Sequence, residues 1–257
     1  MLSIGIDSGS TMTKGAVYDG KEIIITKKIP TSAYPKESMD TLYQELVSDE
    51  VVYTVATGYG RDLLQEANKK ITEITCHGKG ATFLCPSTRF IIDIGGQDCK
   101  AIALDRDENI VDFLMNDKCA AGTGRFVEVM MRTLGKDMEQ LKFLVEEKEP
   151  VPISSMCTVF AESEIISLLA KGEEPEAIAL GMIHSICKRT AMFARKLPIE
   201  GNVFFSGGLA QIPIFQKTLE RYLQRSVQTH SYSQYAGAIG AAVIGWQKAR
   251  REGKMQE

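Results

Sequence analysis

Histidine is scarce in this chain, with three residues in 257, and His77, His184 and His230 share no metal-ligand spacing, so each is expected to be a surface or satisfied core residue. No stretch approaches the roughly 18 uninterrupted apolar residues of a membrane-spanning helix. Residues 1–7 run directly into a strand pattern instead of a leader peptide, and the expected location is the cytoplasm. An excess of positive charge is missing too. Thirty Lys and Arg, scattered along the chain, stand against 33 Asp and Glu, which removes the electrostatic footprint of a nucleic-acid or anionic-membrane binder. There is also no compact Cys-x-x-Cys run. In a reducing cytosol Cys76, Cys85, Cys99, Cys119, Cys157 and Cys187 are free thiols or metal ligands more readily than disulfides, and the plain reading of any one of them is a small buried hydrophobe.

What the chain does have is a repeated construction. Ile4-Gly5-Ile6 leads into Asp7-Ser8-Gly9-Ser10-Thr11-Met12-Thr13-Lys14, followed by a second β-like run at 15–18, an Asp19-Gly20 hairpin turn and a β-branched stretch at 22–29. The pattern returns where Phe90-Ile-Ile-Asp93-Ile94-Gly95-Gly96-Gln97-Asp98 leads into Lys100-Ala-Ile-Ala-Leu104 and a turn at 105–109. A third glycine turn, Ser206-Gly207-Gly208, ends an apolar run near the C-terminus. Glycine adds no bulk and hydroxyls donate hydrogen bonds, so such loops let backbone N–H groups approach an anion. One glycine loop is usually only a turn. Three after apolar runs, two of them preceded by aspartate, point to a nucleotide gripped in a cleft between two related halves. Asp7 and Asp93 are the candidates for holding Mg²⁺, directly or through water, against the alternative that they cap their turns. The length suits one large domain or two, and the repeat favours two.

Helical spacing is expected over residues 38–47, 62–68 and 125–134, with a strand over 51–57 that ends at Gly58-Tyr59-Gly60-Arg61. Met130-Met131 reads as core packing and residues 142–149 as a solvated charged face. Cys119 precedes Gly122-Thr123-Gly124 and the helical run, which places it at a helix N-terminus, where exposed N–H groups favour a thiolate. Cys99 is expected in a strand beside the second glycine loop.

With those residues in view, the chain resembles the acetate kinase, sugar kinase, Hsp70 and actin superfamily. Within it, the resemblance is to the ATP-dependent activators of 2-hydroxyacyl-CoA dehydratases and the related reductases of benzoyl-CoA reductase and double-cubane proteins. The carriers are Gly5-Ile-Asp-Ser-Gly-Ser-Thr-Met-Thr-Lys14, Thr57-Gly-Tyr-Gly-Arg61, Asp93-Ile-Gly-Gly-Gln-Asp98, Asn116-Asp-Lys-Cys-Ala-Ala-Gly-Thr-Gly124, Met156-Cys-Thr-Val-Phe-Ala-Glu-Ser-Glu164 and Ser206-Gly-Gly208. The two cysteine motifs are the specific ones. Ser8 departs from the family pattern, where a small apolar residue is expected.

The resemblance implies an α/β fold of two ribonuclease-H-like, actin/Hsp70-type halves, residues 1–88 and 89–232, with an ATP cleft between them. A C-terminal helix, 233–257, would pack back on the first half, its glycines and alanines permitting close backbone approach. It implies a homodimer with one four-iron four-sulfur (4Fe-4S) cluster held by Cys119 and Cys157 of each chain, ATP or ADP with Mg²⁺ in each chain, an iron-sulfur dehydratase or reductase as electron acceptor, and ferredoxin or flavodoxin as donor. Two cysteines per chain and twofold symmetry satisfy the usual four thiolates. The sequence leaves open a cluster built from other cysteines; Cys76, Cys85, Cys99 and Cys187 lack matching motifs and read as structural.

Carried over by motif, Ser10, Thr11, Met12, Thr13 and Lys14 hold one side of the phosphates. Gly95 and Gly96 hold the other, with Gln97 or Asp98 orienting water. Gly207 and Gly208 approach the adenosine, with Gln234 near it. Gly124, counted among the nucleotide-binding residues, joins Thr123 and Glu162 in linking nucleotide state to cluster position, because each lies within a few residues of a proposed ligand. The expected activity is ATP-driven one-electron transfer, which requires ATP and ADP to favour different arrangements. A rival from another class is a sugar or pantothenate kinase on the same fold with Asp98 as its base, which leaves the cysteine motifs unexplained. A third is a nucleotide-sensing regulator without iron or turnover.

Overall fold

Strand β1, Leu2–Ser8, alternates isoleucine with small residues, and its two faces are buried by different partners. Ile4 and Ile6 pack with Val17 of β2 (Met12–Tyr18) and with Met39, Leu42 and Leu46 of helix α1 (Pro35–Leu46). Proline at the start of α1 lacks an N–H that the first turn leaves unpaired anyway. On the other face Ser3 donates its hydroxyl to the Ala242 carbonyl at 2.8 Å, and a Cβ at Gly5 would stand 2.0 Å from the Ala238 oxygen. Both partners belong to the C-terminal helix Ala236–Arg251. Helix α2, Glu73–Leu84, meets that helix as closely: a Cβ at Gly80 would lie 1.9 Å from the Ala236 oxygen and one at Gly240 1.8 Å from the Cys76 oxygen. Glycine at these positions is therefore a packing requirement.

The first sheet has the order β3-β2-β1-β4-β5, with β3 Ile23–Pro30, β4 Val51–Gly58 and β5 Lys69–Lys70. Strands β1, β2 and β3 are antiparallel neighbours, whereas β4 runs parallel to β1. The second sheet is built from β6 (Thr88–Ile94), β7 (Cys99–Leu104), β8 (Ile110–Asn116), β9 (Asn202–Gly207) and β10 (Val227–Gln228), in the order β10-β9-β6-β7-β8. Read from its other edge it repeats the first sheet strand for strand. This is the ribonuclease-H-like arrangement that actin-type proteins carry twice, as expected.

The computed structural model describes residues 1–144, 148–154 and 157–254. Two units are distinguishable, one of residues 1–88, 104–111 and 232–257, the other of 89–103 and 112–231. In the second unit helices α3 (Gly124–Thr133), α4 (Thr158–Ala170), α5 (Pro175–Ala194) and α6 (Pro213–Leu223) surround a core that includes Phe90, Phe126, Met130, Met131, Phe205 and Phe215. Each large side chain fully buried in this way contributes about 2 kcal/mol. The C-terminal helix Ala236–Arg251 is α7. Among the described residues no helix is long and apolar enough to cross a membrane.

Residues 62–68 are not a helix but successive turns. Leu64 is drawn fully into the core, the Asn68 side chain accepts the Thr54 N–H at 2.7 Å, and the chain then extends to lay β5 beside β4. Seven residues are too few to repay helix nucleation against those tertiary bonds. The charged stretch 142–149 starts in a 3₁₀ turn, Met138–Phe143, and its residues 145–147 lie outside the described ones.

Candidate functional site

Two strand-joining loops close in the same way. Between β1 and β2 the Gly9 N–H donates to the Met12 carbonyl at 3.2 Å; between β6 and β7 the Gly95 N–H donates to the Asp98 carbonyl at 2.9 Å. Each closure sits just beyond an equivalent last rung, Ser8 with Thr13 and Ile94 with Cys99. Among the described residues the amides of Ser10, Thr11, Gly96 and Gln97 meet no backbone acceptor. Open donors on a tight turn form an anion-binding concavity. Ser10, Thr11, Met12 and Lys14 are partly exposed and Thr13 is buried. Thr31, which the sequence did not single out, braces the first loop. It donates its N–H to the Thr11 carbonyl at 3.0 Å and its hydroxyl to the Gly9 carbonyl at 2.8 Å, and it shares a 3.0 Å hydrogen bond with the Thr13 hydroxyl.

The two aspartates at the strand ends differ. Asp7 is buried in clearances left by glycines: a Cβ at Gly58 would stand 2.7 Å from its Oδ1 and one at Gly237 2.6 Å from its Oδ2. No hydrogen bond or ion pair engages its carboxylate among the described residues. Asp93 is engaged at both oxygens, by the Ser206 hydroxyl on Oδ1 at 2.6 Å and the Lys100 ammonium on Oδ2 at 3.2 Å. The same ammonium donates to Asp98 Oδ2 at 2.5 Å. Lys100 is 1% exposed, a position that a cation tolerates only when carboxylates compensate it. Sequence reasoning passed over Lys100. The available signal was a lysine in an apolar strand two residues after an aspartate, a spacing that puts both on one face. Of the two residues expected to orient water, Gln97 is exposed and Asp98 is buried against Lys100.

Of the six cysteines, Cys119 and Cys157 are exposed, Cys85 is half-buried, and Cys76, Cys99 and Cys187 are buried. Burial pushes the Cys76 and Cys99 thiols up to about 12 and raises that of Cys187 as well. These three stay protonated, and so unreactive, well above neutral pH. At pH 8 a small alkylating reagent is therefore expected to modify Cys119 and Cys157 first in the folded apo-protein, Cys85 more slowly, and the other three only after denaturation. Peptide mass mapping over time checks this order; early labelling of Cys99 or Cys187 would contradict it.

Cys119 does not stand at a helix N-terminus. It lies in the turns before α3, whose cap is the buried Thr123. Thr123 bonds back to the Ala120 carbonyl through its N–H at 3.0 Å and its hydroxyl at 2.6 Å. The first amides of α3 are already taken: Gly124 N–H donates to the Gly95 carbonyl at 2.9 Å and Arg125 N–H to the Gly96 carbonyl at 2.8 Å. A Cβ at Gly124 would come within 3.2 Å of the Gly95 oxygen, so glycine permits this splice of helix to loop. The position expected for Cys119 belongs to Cys157, the N-cap residue of α4. Val159 and Phe160 follow it, both about two-thirds exposed. Ser155 and Met156 of that motif lie outside the described residues. Glu162 of α4 accepts the Thr133 hydroxyl of α3 at 3.3 Å, tying together the helices that follow the two cysteines.

At the end of β9, Gly207 has φ 93° and a Cβ there would stand 2.0 Å from the Ile94 oxygen, whereas a Cβ at Gly208 would meet nothing within 4 Å. Gln234 sits in a 3₁₀ turn, Ser233–Tyr235, and accepts a hydrogen bond from the Lys28 ammonium at 2.9 Å. Among the described residues no three His, Cys, Asp or Glu side chains are grouped to hold a metal ion within one chain.

The chain is similar to known proteins over nearly all of its length. The chain is 52% identical to the protein YjiL of Escherichia coli K12 over 250 residues, 95% of this chain and 96% of that one. It is 41% identical to the activator of lactoyl-CoA dehydratase of Anaerotignum propionicum, over 98% of this chain and all of that one. Its structure superposes on the activator of 2-hydroxyisocaproyl-CoA dehydratase from Clostridium difficile, solved with bound ADPNP, with a TM-score of 0.92 at 37% identity, covering 100% of this chain and 98% of that chain. With a family model matched over residues 4–245, the chain belongs to the BadF/BadG/BcrA/BcrD ATPase family.

Proposed function

We propose that the chain is an ATP-hydrolysing one-electron donor to a partner iron-sulfur enzyme, working as a homodimer that shares one 4Fe-4S cluster through Cys119 and Cys157 of each copy. The observation that carries this reading is the sorting of the cysteines: the two exposed thiols are the two in the specific motifs. A bound cluster supplies a low-potential one-electron carrier. One chain offers two exposed thiols and such a cluster takes four, so a second copy related by a twofold axis completes the set. Val159 and Phe160, apolar and exposed beside Cys157, suit burial in such an interface. The acceptor in this reading is a 2-hydroxyacyl-CoA dehydratase, or a related enzyme of the benzoyl-CoA reductase or double-cubane type, with ferredoxin or flavodoxin as donor; the relatives named as dehydratase activators and as a benzoyl-CoA reductase subunit support the acceptor class.

The open amides of each glycine loop offer donors to phosphate oxygens, with Ser10, Thr11, Thr13 and Lys14 adding side chains in the first loop. Gln97 or Asp98 would orient the attacking water. The open space that a Cβ at Gly208 would meet supports an approach of adenosine to the backbone there. Because Gly95 and Gly96 hold the first turn of α3, a phosphate drawn to that loop pulls on the segment carrying Cys119. A small-molecule kinase would leave the exposed cysteine pair without a task.

Iron and acid-labile sulfide on protein purified without oxygen test the reading, against a double Cys119→Ala, Cys157→Ala variant. About two irons and two sulfides per chain, lost in the variant, are expected. Iron-free wild type after anaerobic reconstitution would sink the proposal and turn the search to kinase acceptors.

A further inference from the structure

Thr31, the residue after β3, grips the first glycine loop, and the protons at that junction can be counted. Its hydroxyl lies 2.8 Å from the Gly9 carbonyl and 3.0 Å from the Thr13 hydroxyl. A carbonyl only accepts and a hydroxyl carries one proton, so the Thr31 proton goes to Gly9 and the Thr13 proton goes to Thr31. Thr13 is fully buried. Its proton is spent inside the protein, in a relay that runs from Thr13 through Thr31 to Gly9, and hydrogen bonds in such a chain polarise one another. The Gly9 carbonyl shares a peptide plane with the Ser10 N–H, and in a planar trans peptide the two point in opposite directions. A carbonyl fixed on Thr31 therefore turns the Ser10 N–H away from Thr31. That N–H meets no backbone acceptor among the described residues. The backbone N–H of Thr31 holds the Thr11 carbonyl at 3.0 Å, so the loop is pinned on both sides of Ser10.

We propose that Thr31 is a positioning residue of the phosphate site: its hydroxyl, supplied by Thr13, locks the Gly9–Ser10 peptide with the Ser10 N–H turned toward a phosphate oxygen. Thr13 adds its side chain to the loop through Thr31 rather than by touching the nucleotide. The inference rests on the ATP reading above and deepens it. A peptide that rotates freely must be ordered when the anion arrives, whereas a locked one presents its donor beforehand and binds more tightly.

Thr31→Val keeps the shape of the side chain and the backbone bond to Thr11, and removes the hydroxyl. Equilibrium ATP binding to the full chain, well below each variant's melting temperature, is expected to be about 10-fold weaker in Thr31→Val and unchanged in Thr31→Ser. Thr13→Val leaves the bond from Thr31 to Gly9 in place. It is expected to weaken binding by less than about 3-fold, and to add nothing in the Thr31→Val background, because residues acting in series are not additive. A folded Thr31→Val with a lowered melting temperature and wild-type ATP affinity makes Thr31 merely structural and overturns the positioning role, as does a Thr31→Ser that binds as weakly as Thr31→Val. Should Thr31→Val not fold, Thr13→Val decides: a loss beyond that small one puts Thr13 on the phosphates and overturns the relay. A wild type that binds no ATP overturns the ATP reading and this inference with it.

Discussion

Arg125→Pro is expected to keep ATP binding and helix α3 while abolishing the response of the Cys119 segment to nucleotide. Arg125 is the second residue of the helix, where a backbone N–H has no partner within the helix, so proline there costs no helical bond. What disappears is the Arg125 N–H bond to the Gly96 carbonyl, 2.8 Å long. Arg125→Ala is the control. It keeps that N–H and removes only the 2.9 Å pair with Glu128, an exposed ion pair worth little. The readout is the rate at which a chelator strips iron from anaerobic protein with an ATP analogue, relative to the rate with ADP. Couplings of about 1–3 kcal/mol correspond to ratios of roughly 5–150, so a fall to near unity is easily seen. Wild type and Arg125→Ala should share one ratio and Arg125→Pro should lose it. If the proline variant responds as the alanine variant does, the splice between loop and helix is not the route.

The neighbouring glycines at the end of β9 are expected to fail in opposite ways. Gly207→Ala puts a methyl group 2.0 Å from a backbone oxygen at φ 93°, where neither partner is a flexible side chain. The β9–β6 contact must open, at a cost of about 3 kcal/mol or more. That is a large share of the roughly 5–15 kcal/mol by which a domain is stable. Gly208→Ala adds its methyl to open space, so its stability should stay within about 0.5 kcal/mol of wild type. Its ATP affinity should nonetheless fall by about 10-fold, the equivalent of about 1.4 kcal/mol, because the methyl group takes room that the adenosine needs. Thermal melts and equilibrium ATP binding on both variants separate the two effects. Unchanged ATP affinity in a well-folded Gly208→Ala would remove this glycine from the nucleotide site.

Much of this was legible in the sequence, for physical reasons that can be traced residue by residue. Strands β1, β2, β6 and β7 announce themselves because apolar runs broken by Asp-x-Gly and glycine pairs have few other foldings, and their recurrence gave away the duplicated sheet. Residues 62–68 misled because helical spacing is a local signal, whereas Leu64 and Asn68 answer to the core and to β4. The placement of Cys119 missed because a helix is nucleated at its cap, Thr123, and the freed amides found carbonyls some 30 residues earlier in the chain. No side-chain pattern encodes a bond between two backbone groups. Lys100 was hidden by its setting, since a lysine in a strand ordinarily signals a solvated face and here signals two acids behind it.

The backbone-to-backbone fit of α7 against β1 and α2 also has a temporal side. A chain made from its N-terminus presents the first sheet long before residues 236–251 exist to cover it, while the second unit is complete by residue 231. The unit begun first is therefore finished last, and during synthesis the face of β1 that carries Ser3 and Gly5 waits for α7 to cover it. An interrupted chain that stops short of Ala236 carries one complete half and one sheet covered by α1 on a single face, its other face left open to water.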